Sequence, residues 1–201
     1  MKIEKERSWL LKRPSEVQPD EILLIVQFYL PEYRLRYQMP ARPTIGVSGS
    51  GYGMHDIRVL LDMREKAIAD KRPFGNGKGM PGEWIHCEKK DIDGSSCWED
   101  ERTIHDGLFP FPHDVFAAET AIGKTRYIYN TEDNGVKRKW EMDVFGDNMS
   151  LVKLELEIPE DEDISAPLDI PQHLAKYIIT ETTGLKWLTN RALALPNIFK
   201  K

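Results

Sequence analysis

Eight stretches of the chain read as β-strands, at 3–11, 21–29, 33–37, 84–90, 97–104, 121–129, 138–145 and 151–158, and several of them alternate apolar and polar residues with a period of two. A period of two sends the two sets to opposite faces of a β-strand. Turn residues separate the stretches at Pro31-Glu32, 91–96, 131–135 and 146–148. Residues 39–83 interrupt the pattern. There Gly46, Gly49, Gly51 and Gly53 precede a predicted amphipathic helix over 55–70, with Ile57, Leu60, Leu61, Ala67 and Ile68 at helical spacing. The run Gly75 to Gly82 closes the segment as a loop, and the whole reads as an insertion or lid. Residues 114–121 predict a short helix. After an acidic turn at 160–163, Asp169 is expected to cap a helix with Pro171 in its first turn and Leu174, Ala175, Ile178 and Ile179 on its apolar face. A last short helix is expected over 185–195.

The polar positions of these strands are often charged, and the charges come in pairs two residues apart. The pairs are Glu4/Glu6, Arg34/Arg36, Glu99/Glu101, Lys124/Arg126, Glu141/Asp143 and Glu155/Glu157. One such pair is an ordinary solvated strand face. Six pairs of mixed sign change the picture, because the residues between them are large and apolar: Leu35 between tyrosines, Trp140, Met142 and Val144, and Leu154, Leu156 and Ile158. Those faces must be buried, so the charged faces meet either bulk water or one another. Eight strands, mostly in hairpin order, are enough to close a barrel. In such a barrel the apolar residues can point outward under helices while the charged ones line a tunnel.

Composition narrows the chemistry. The 201 residues fit one domain, and 30% of them are charged with a net charge of −5. An acidic balance argues against general nucleic-acid binding, which needs a broad basic surface. It leaves room for one polyphosphate in a local basic pocket. The two cysteines, Cys87 and Cys97, are too few for a disulfide framework and read as reduced thiols of a cytoplasmic protein. No signal region opens the chain and no apolar run is long enough to span a bilayer, so no membrane partner is expected. The acids Glu4, Glu6, Glu99, Glu101, Glu141, Asp143, Glu155 and Glu157 offer hard oxygen ligands of the kind that suit Mg²⁺ or Mn²⁺. The bases Arg34, Arg36, Lys89, Lys124 and Arg126 suit phosphate oxygens. Together they describe a site for a metal–polyphosphate complex, with attack at phosphorus as the expected chemistry.

These motifs resemble the CYTH domain of the triphosphate tunnel metalloenzymes. Glu4-Lys5-Glu6 resembles the family's opening E-x-E, and Gln27-Phe28-Tyr29-Leu30 with Arg34-Leu35-Arg36 its following hairpin. Lys124-Thr125-Arg126-Tyr127, Glu141-Met142-Asp143-Val144-Phe145 and Glu155-Leu156-Glu157 resemble its later strands. Thr180-Glu181-Thr182-Thr183-Gly184 with Trp187 and Asn190 resembles its C-terminal segment. The resemblance covers nearly the whole chain except residues 39–83. It implies an α+β, mainly β fold: an eight-stranded antiparallel closed β-barrel forming a tunnel, with peripheral helices and a C-terminal helical segment, in one domain over 1–201. It implies two divalent ions on the eight acids, triphosphate contacts from the five bases, and catalytic roles for Glu4, Glu6 and Lys89. One position departs from the pattern. Ser8 stands where the family has a lysine, and the sequence leaves open whether Lys186 or another base replaces it.

The expected activity is that of a metal-dependent triphosphatase acting on inorganic triphosphate, thiamine triphosphate, a nucleotide or an RNA 5′-triphosphate. An adenylyl cyclase of the same family and a non-catalytic nucleotide or signalling-molecule binder are the alternatives. The 39–83 insertion leaves a homo-oligomer contact open. His86, His105, His113 and His173 share no metal-ligand spacing and read as ordinary surface or core residues.

Overall fold

The computed structural model describes residues 2–40, 83–92, 96–104, 117–133, 135–146 and 151–196. The expected helix over 55–70, the glycine-rich loops on either side of it, His105 and His113 lie outside the described residues. All eight expected stretches are strands: β1 (Lys2–Leu11), β2 (Glu21–Tyr29), β3 (Arg34–Pro40), β4 (Glu83–Asp91), β5 (Ser96–Ile104), β6 (Thr120–Asp133), β7 (Val136–Phe145) and β8 (Val152–Ile158). They pair antiparallel in the order β6-β2-β3-β4-β5-β1-β8-β7, and β7 pairs back onto β6 to close an eight-stranded barrel. Closure leaves these strands without a free edge over most of their length.

Alternation decides which face is which. Trp9, Leu11, Ile22, Tyr127, Trp140, Met142, Val144, Val152, Leu154, Leu156 and Ile158 form one buried cluster on the outside of the wall, joined by Leu174 and covered by Val17, Ile164, Leu168, Ile170, Tyr177 and Ile178. A second outer cluster joins Val26, Phe28, Leu35, Tyr37, Trp84 and Ala118. The charged alternates are therefore left to face inward. The 160–163 turn helps seal the outside, since Arg138 donates to both carboxylate oxygens of Glu162 at 2.7 and 2.5 Å. Thr131–Asp133, expected in a turn, continue the ladder to the pair Asp133–Val136. That register leaves a two-residue loop, and Gly135 supplies the left-handed backbone it needs at φ 82°.

The C-terminal region corrects two helix expectations. The helix after Pro171 is a single turn, α1 (Gln172–Ala175), with no side-chain cap, so Asp169 does not serve as one. Ile178 and Ile179 belong instead to a strand, β9 (Ile178–Glu181), paired with Trp9–Leu11 of β1. The reason is an open edge. β1 pairs with β5 only from Lys2 to Lys5, so its second half needs another partner on that side. Over 185–195 the expected helix breaks into a 3₁₀ turn at Lys186–Leu188 and α2 (Asn190–Leu193), capped by the Thr189 hydroxyl accepting from the Ala192 N–H at 3.2 Å. A two-residue strand, β10 (Leu195–Pro196), then pairs with the start of β6. Thr120 and Ala121, expected in a short helix, start β6; residues 114–116 of that expectation lie outside the described residues. Among the described residues no helix is long and apolar enough to cross a membrane.

Candidate functional site

The order of closure sorts the inward charges. The consecutive strands β6, β2, β3 and β4 carry the five bases read from the sequence, and β5, β1, β8 and β7 carry the eight acids. The tunnel thus has a basic arc and an acidic arc. At the two seams the register sets opposite charges side by side, Lys89 against Glu99 and Arg126 against Asp143. Within the acidic arc it sets like charges side by side, Glu6 against Glu157 and Glu141 against Glu155. Directly opposed carboxylates repel, so cations among these acids stabilise the arc.

On β3, Leu35 and Tyr37 are held in the outer core, which forces Arg34 and Arg36 inward. The Arg34 Nη2 donates to Glu99 Oε1 at 2.5 Å and Glu101 Oε1 at 3.4 Å, and the Arg36 Nη2 donates to Glu101 Oε2 at 2.7 Å. Both arginines keep a buried Nε–H that makes no hydrogen bond, a donor available to an anion. Lys89 donates to Glu4 Oε2 at 3.3 Å. At the other seam Arg126 spans three carboxylates: it donates to both oxygens of Asp143 at 2.7 and 2.8 Å and to Glu155 at 3.2 Å, and it pairs with Glu141. Lys124, fully buried, pairs with Asp143 behind it.

These surroundings move the carboxyl pKa values in opposite directions. Burial pushes Glu6 up to about 7, reinforced by Glu155 and only partly offset by Lys153 and Lys89. Burial likewise pushes Glu99 up to about 7, with a hydrogen bond to Glu4 adding to it. For Glu101 and Glu141 burial acts upward too, but their arginine partners, Arg36 and Arg126, outweigh it and leave both below the usual range. Glu155 is held well below that range by Lys153, Lys124 and Arg126 against the effect of burial. Burial would lower Lys89, but Glu6 and Glu99 outweigh it and keep the amine charged. Burial and the neighbouring Arg126 bring Lys124 down to about 8.

A cavity of about 230 Å³ occupies the tunnel, lined by Glu4, Glu6, Arg34, Arg36, Lys89, Glu99, Glu101, Arg126, Glu141, Glu155 and Glu157 among others. Of the thirteen residues expected at the site, only Lys124 and Asp143 lie outside this lining, one layer deeper and joined to Arg126. A larger cavity of about 390 Å³ shares Glu6, Arg34, Lys89, Glu155 and Asn190 with it and extends past Tyr29, Tyr33 and Cys87 to Lys186 and Arg191 of the C-terminal segment. That segment is fixed to β1: the Thr182 N–H donates to the Ser8 carbonyl at 2.7 Å, their hydroxyls meet at 3.0 Å, and Arg7 forks onto Glu181.

Two lysines of the cavity linings, the buried Lys153 and the exposed Lys139, escape a search for pairs. Lys153 and Lys139 each lie two residues before an acid, Glu155 and Glu141, and each bonds that acid, at 2.5 and 2.7 Å. Extending the period of two by one step would have found both. Cys87 and Cys97 are free thiols, and both are buried. Cys87 donates to Glu99 at 2.8 Å, and its sulfur lies with oxygens of Glu99 and Glu101 within 4.8 Å of one another. Burial pushes the Cys87 thiol up, so it stays protonated and leaves the carboxylates as the ligands for a hard ion. His86 stacks on Tyr33 and His173 packs on Tyr129. The donor set thus fits Mg²⁺ or Mn²⁺: oxygen ligands, two opposed carboxylate pairs and two carboxyls raised by desolvation.

No family model matches the chain, and no curated protein matches it. Solved structures do. Two structures of NE1496, described as a hypothetical protein and as an inorganic triphosphatase, are 19% and 18% identical to it with TM-scores of 0.45 and 0.46. They cover 96% and 98% of this chain and 99% and 98% of their own. A conserved hypothetical protein from Pyrococcus furiosus is 15% identical, with a TM-score of 0.38, over 79% of this chain and 80% of its own. The functional reading rests on the barrel interior and not on these likenesses.

Proposed function

We propose that this protein is a metal-dependent triphosphatase that hydrolyses a triphosphate held in the barrel tunnel. The observation that carries the reading is the division of one enclosed interior into an acidic arc and a basic arc. A polyphosphate chain is a row of anionic oxygens whose charge must be met along its whole length. Arg34, Arg36, Lys89 and Arg126 meet it from one side, with Lys124 and Asp143 holding Arg126 from behind. Glu4, Glu6, Glu99, Glu101, Glu141, Glu155 and Glu157 face it from the other and would hold Mg²⁺ or Mn²⁺. When bound, such an ion neutralises phosphate charge and lowers the pKa of water.

The remaining work falls to the side chains. Water attacks the terminal phosphorus, the bond to the bridging oxygen breaks, and phosphate leaves from the diphosphate part of the substrate. A carboxyl poised near neutrality, as Glu6 is, accepts the proton of the attacking water, with Glu4 beside it on the same strand face. The charged amine of Lys89 stabilises the oxygen that departs.

The test is a panel of inorganic, thiamine, nucleoside and RNA 5′-triphosphates with Mg²⁺ or Mn²⁺. Release of phosphate is expected. Pyrophosphate with a cyclic nucleotide would indicate a cyclase, and tight binding without turnover a binding protein. Glu6→Gln and Arg36→Ala are each expected to lower turnover by about tenfold or more, as losses of charge-stabilising groups do. Unchanged activity and affinity in both variants would overturn the tunnel assignment.

A further inference from the structure

The acidic arc contains an exception. Among the residues of β1 and β8 that line the cavities, Glu4, Glu6, Ser8, Glu155, Glu157 and Lys153, the last is the one base. Lys153 is buried, with its amine 2.5 Å from Glu155 Oε1 and 3.5 Å from Glu6 Oε1. Two carboxylates do not exhaust an ammonium group, which carries three donors. The larger cavity opens against this side chain and runs into the tunnel through Glu6, Arg34 and Lys89. Without Lys153, a polyphosphate in the tunnel would face carboxylates alone along β1 and β8.

Ser8 supplies the second half of the argument. It lies on the same strand face as Glu6, lines the same cavity as Lys153, and is paired in register with Glu155. Lys153 pairs with Leu10, two residues further along β1, so Ser8 and Lys153 are diagonal neighbours on adjacent strands. The Ser8 hydroxyl is committed to Thr182 at 3.0 Å and brings no charge to the tunnel. A long basic side chain from either position delivers its amine to the same space.

We propose that Lys153 is a phosphate-binding residue of the acidic arc, contacting the triphosphate from the side opposite Arg34 and Arg36 and supplying the base that β1 lacks at Ser8. This rests on the triphosphate reading of the tunnel and adds a residue to it. A structural role predicts something different: an amine that only neutralises Glu6 and Glu155 would matter to folding and not to phosphate affinity.

The experiment measures Kd for tripolyphosphate by calorimetry with Mn²⁺ present, and the KM and kcat of phosphate release, on the full chain. Lys153→Met is expected to weaken Kd and raise KM by about tenfold or more, the size of a lost charge-assisted hydrogen bond to a charged group. Lys153→Arg is expected to keep most of the affinity. Ser8→Lys added to Lys153→Met is expected to recover it, because the amine returns to the same space from the neighbouring strand. A Kd within about twofold of wild type in Lys153→Met, in a variant that melts as a folded protein, overturns the proposal and leaves the triphosphatase reading standing. Loss of affinity that neither Lys153→Arg nor the transplanted lysine restores overturns it as well. If wild-type protein binds no triphosphate at all, the tunnel reading itself falls.

Discussion

Arg126 is where the division of the tunnel can be tested without any assay of activity. Its guanidinium holds Asp143 by two hydrogen bonds, of 2.7 and 2.8 Å, and reaches Glu155 at 3.2 Å while pairing with Glu141. Arg126→Met removes every donor and keeps most of the volume. Removing one partner of a buried ion pair typically costs about 3–5 kcal/mol, because the other charge stays buried without it. Here each acid keeps a second cation: Lys124 for Asp143, Lys139 for Glu141 and Lys153 for Glu155. The loss should therefore fall at the low end, about 3 kcal/mol. For a chain of this size that corresponds to a fall in Tm of roughly 6–12 °C. The same variant uncovers three carboxylates, so Mn²⁺ should raise its Tm by more than it raises that of the wild type. Thermal denaturation with chelator and with excess Mn²⁺ gives both numbers. A loss under about 1 kcal/mol would show that Asp143 does not depend on Arg126. Equal Mn²⁺ shifts in the two proteins would refute the claim that these acids hold a cation.

Three further outcomes follow from the same geometry. Glu6 and Glu99 stand at about 7 in the folded chain against 4.5 unfolded, so the folded state binds more protons between those values and their contribution to stability is lost as pH rises through 7. With chelator present the denaturation midpoint should drop from pH 5.5 to 8, and Glu99→Gln should flatten the drop; a midpoint that climbs over this range would contradict the assignment. Trp140→Ala removes a fully buried ring that lies 5.7 Å from Trp9 on the outer face, so it should cost about 3–5 kcal/mol while the remaining folded protein keeps its KM. A raised KM at unchanged stability would place the ring on the wrong side of the wall. Cys87 pairs with Glu101 and Cys97 with Asp91, four positions apart along one ladder, which is too far for a disulfide. Thiol titration of denatured protein should find both cysteines reduced, and reductant should leave Tm unchanged.

The strands were legible because β-like runs recur between turn residues, and in β3, β7 and β8 large apolar residues alternate with charged ones. There a slip of one residue would turn the charged set into the core. Lys153 and Lys139 were missed for a related reason: an isolated lysine before a pair of acids looks like any solvated residue until the period is extended. The C-terminal helices were misread because local signals outran tertiary ones. Leu174, Ala175, Ile178 and Ile179 have helical spacing, but the open edge of β1 beyond Lys5 recruits 178–181 into a ladder. Nothing local to those residues encodes that edge. It exists because β5 stops pairing early on a strand more than seventy residues upstream of β9.

The same limit applies to the acidic and basic arcs. A pair two residues apart fixes a face, and the large apolar alternates of β3, β7 and β8 fix which face is outside. Neither fixes which strands are neighbours. Had β1 paired with β2, as the first hairpin in the chain would suggest, its acids would have stood between β8 and β2, apart from those of β5. Instead β1 inserts between β5 and β8, and the acids of β5, β1, β8 and β7 become contiguous. The contiguous acids include the opposed pairs Glu6–Glu157 and Glu141–Glu155, which cost stability unless cations offset them. A barrel closed in simple hairpin order would keep β8 between β7 and β1, but it would part the acids of β5 from those of β1. The non-sequential position of β1 is therefore the step that joins the acids of β5 to those of β1, β8 and β7 in one arc. A rearranged chain that carries β1 between β8 and Pro159 should keep the barrel, because β8 is already its antiparallel neighbour, and its Tm and Kd for tripolyphosphate should stay near those of the natural order.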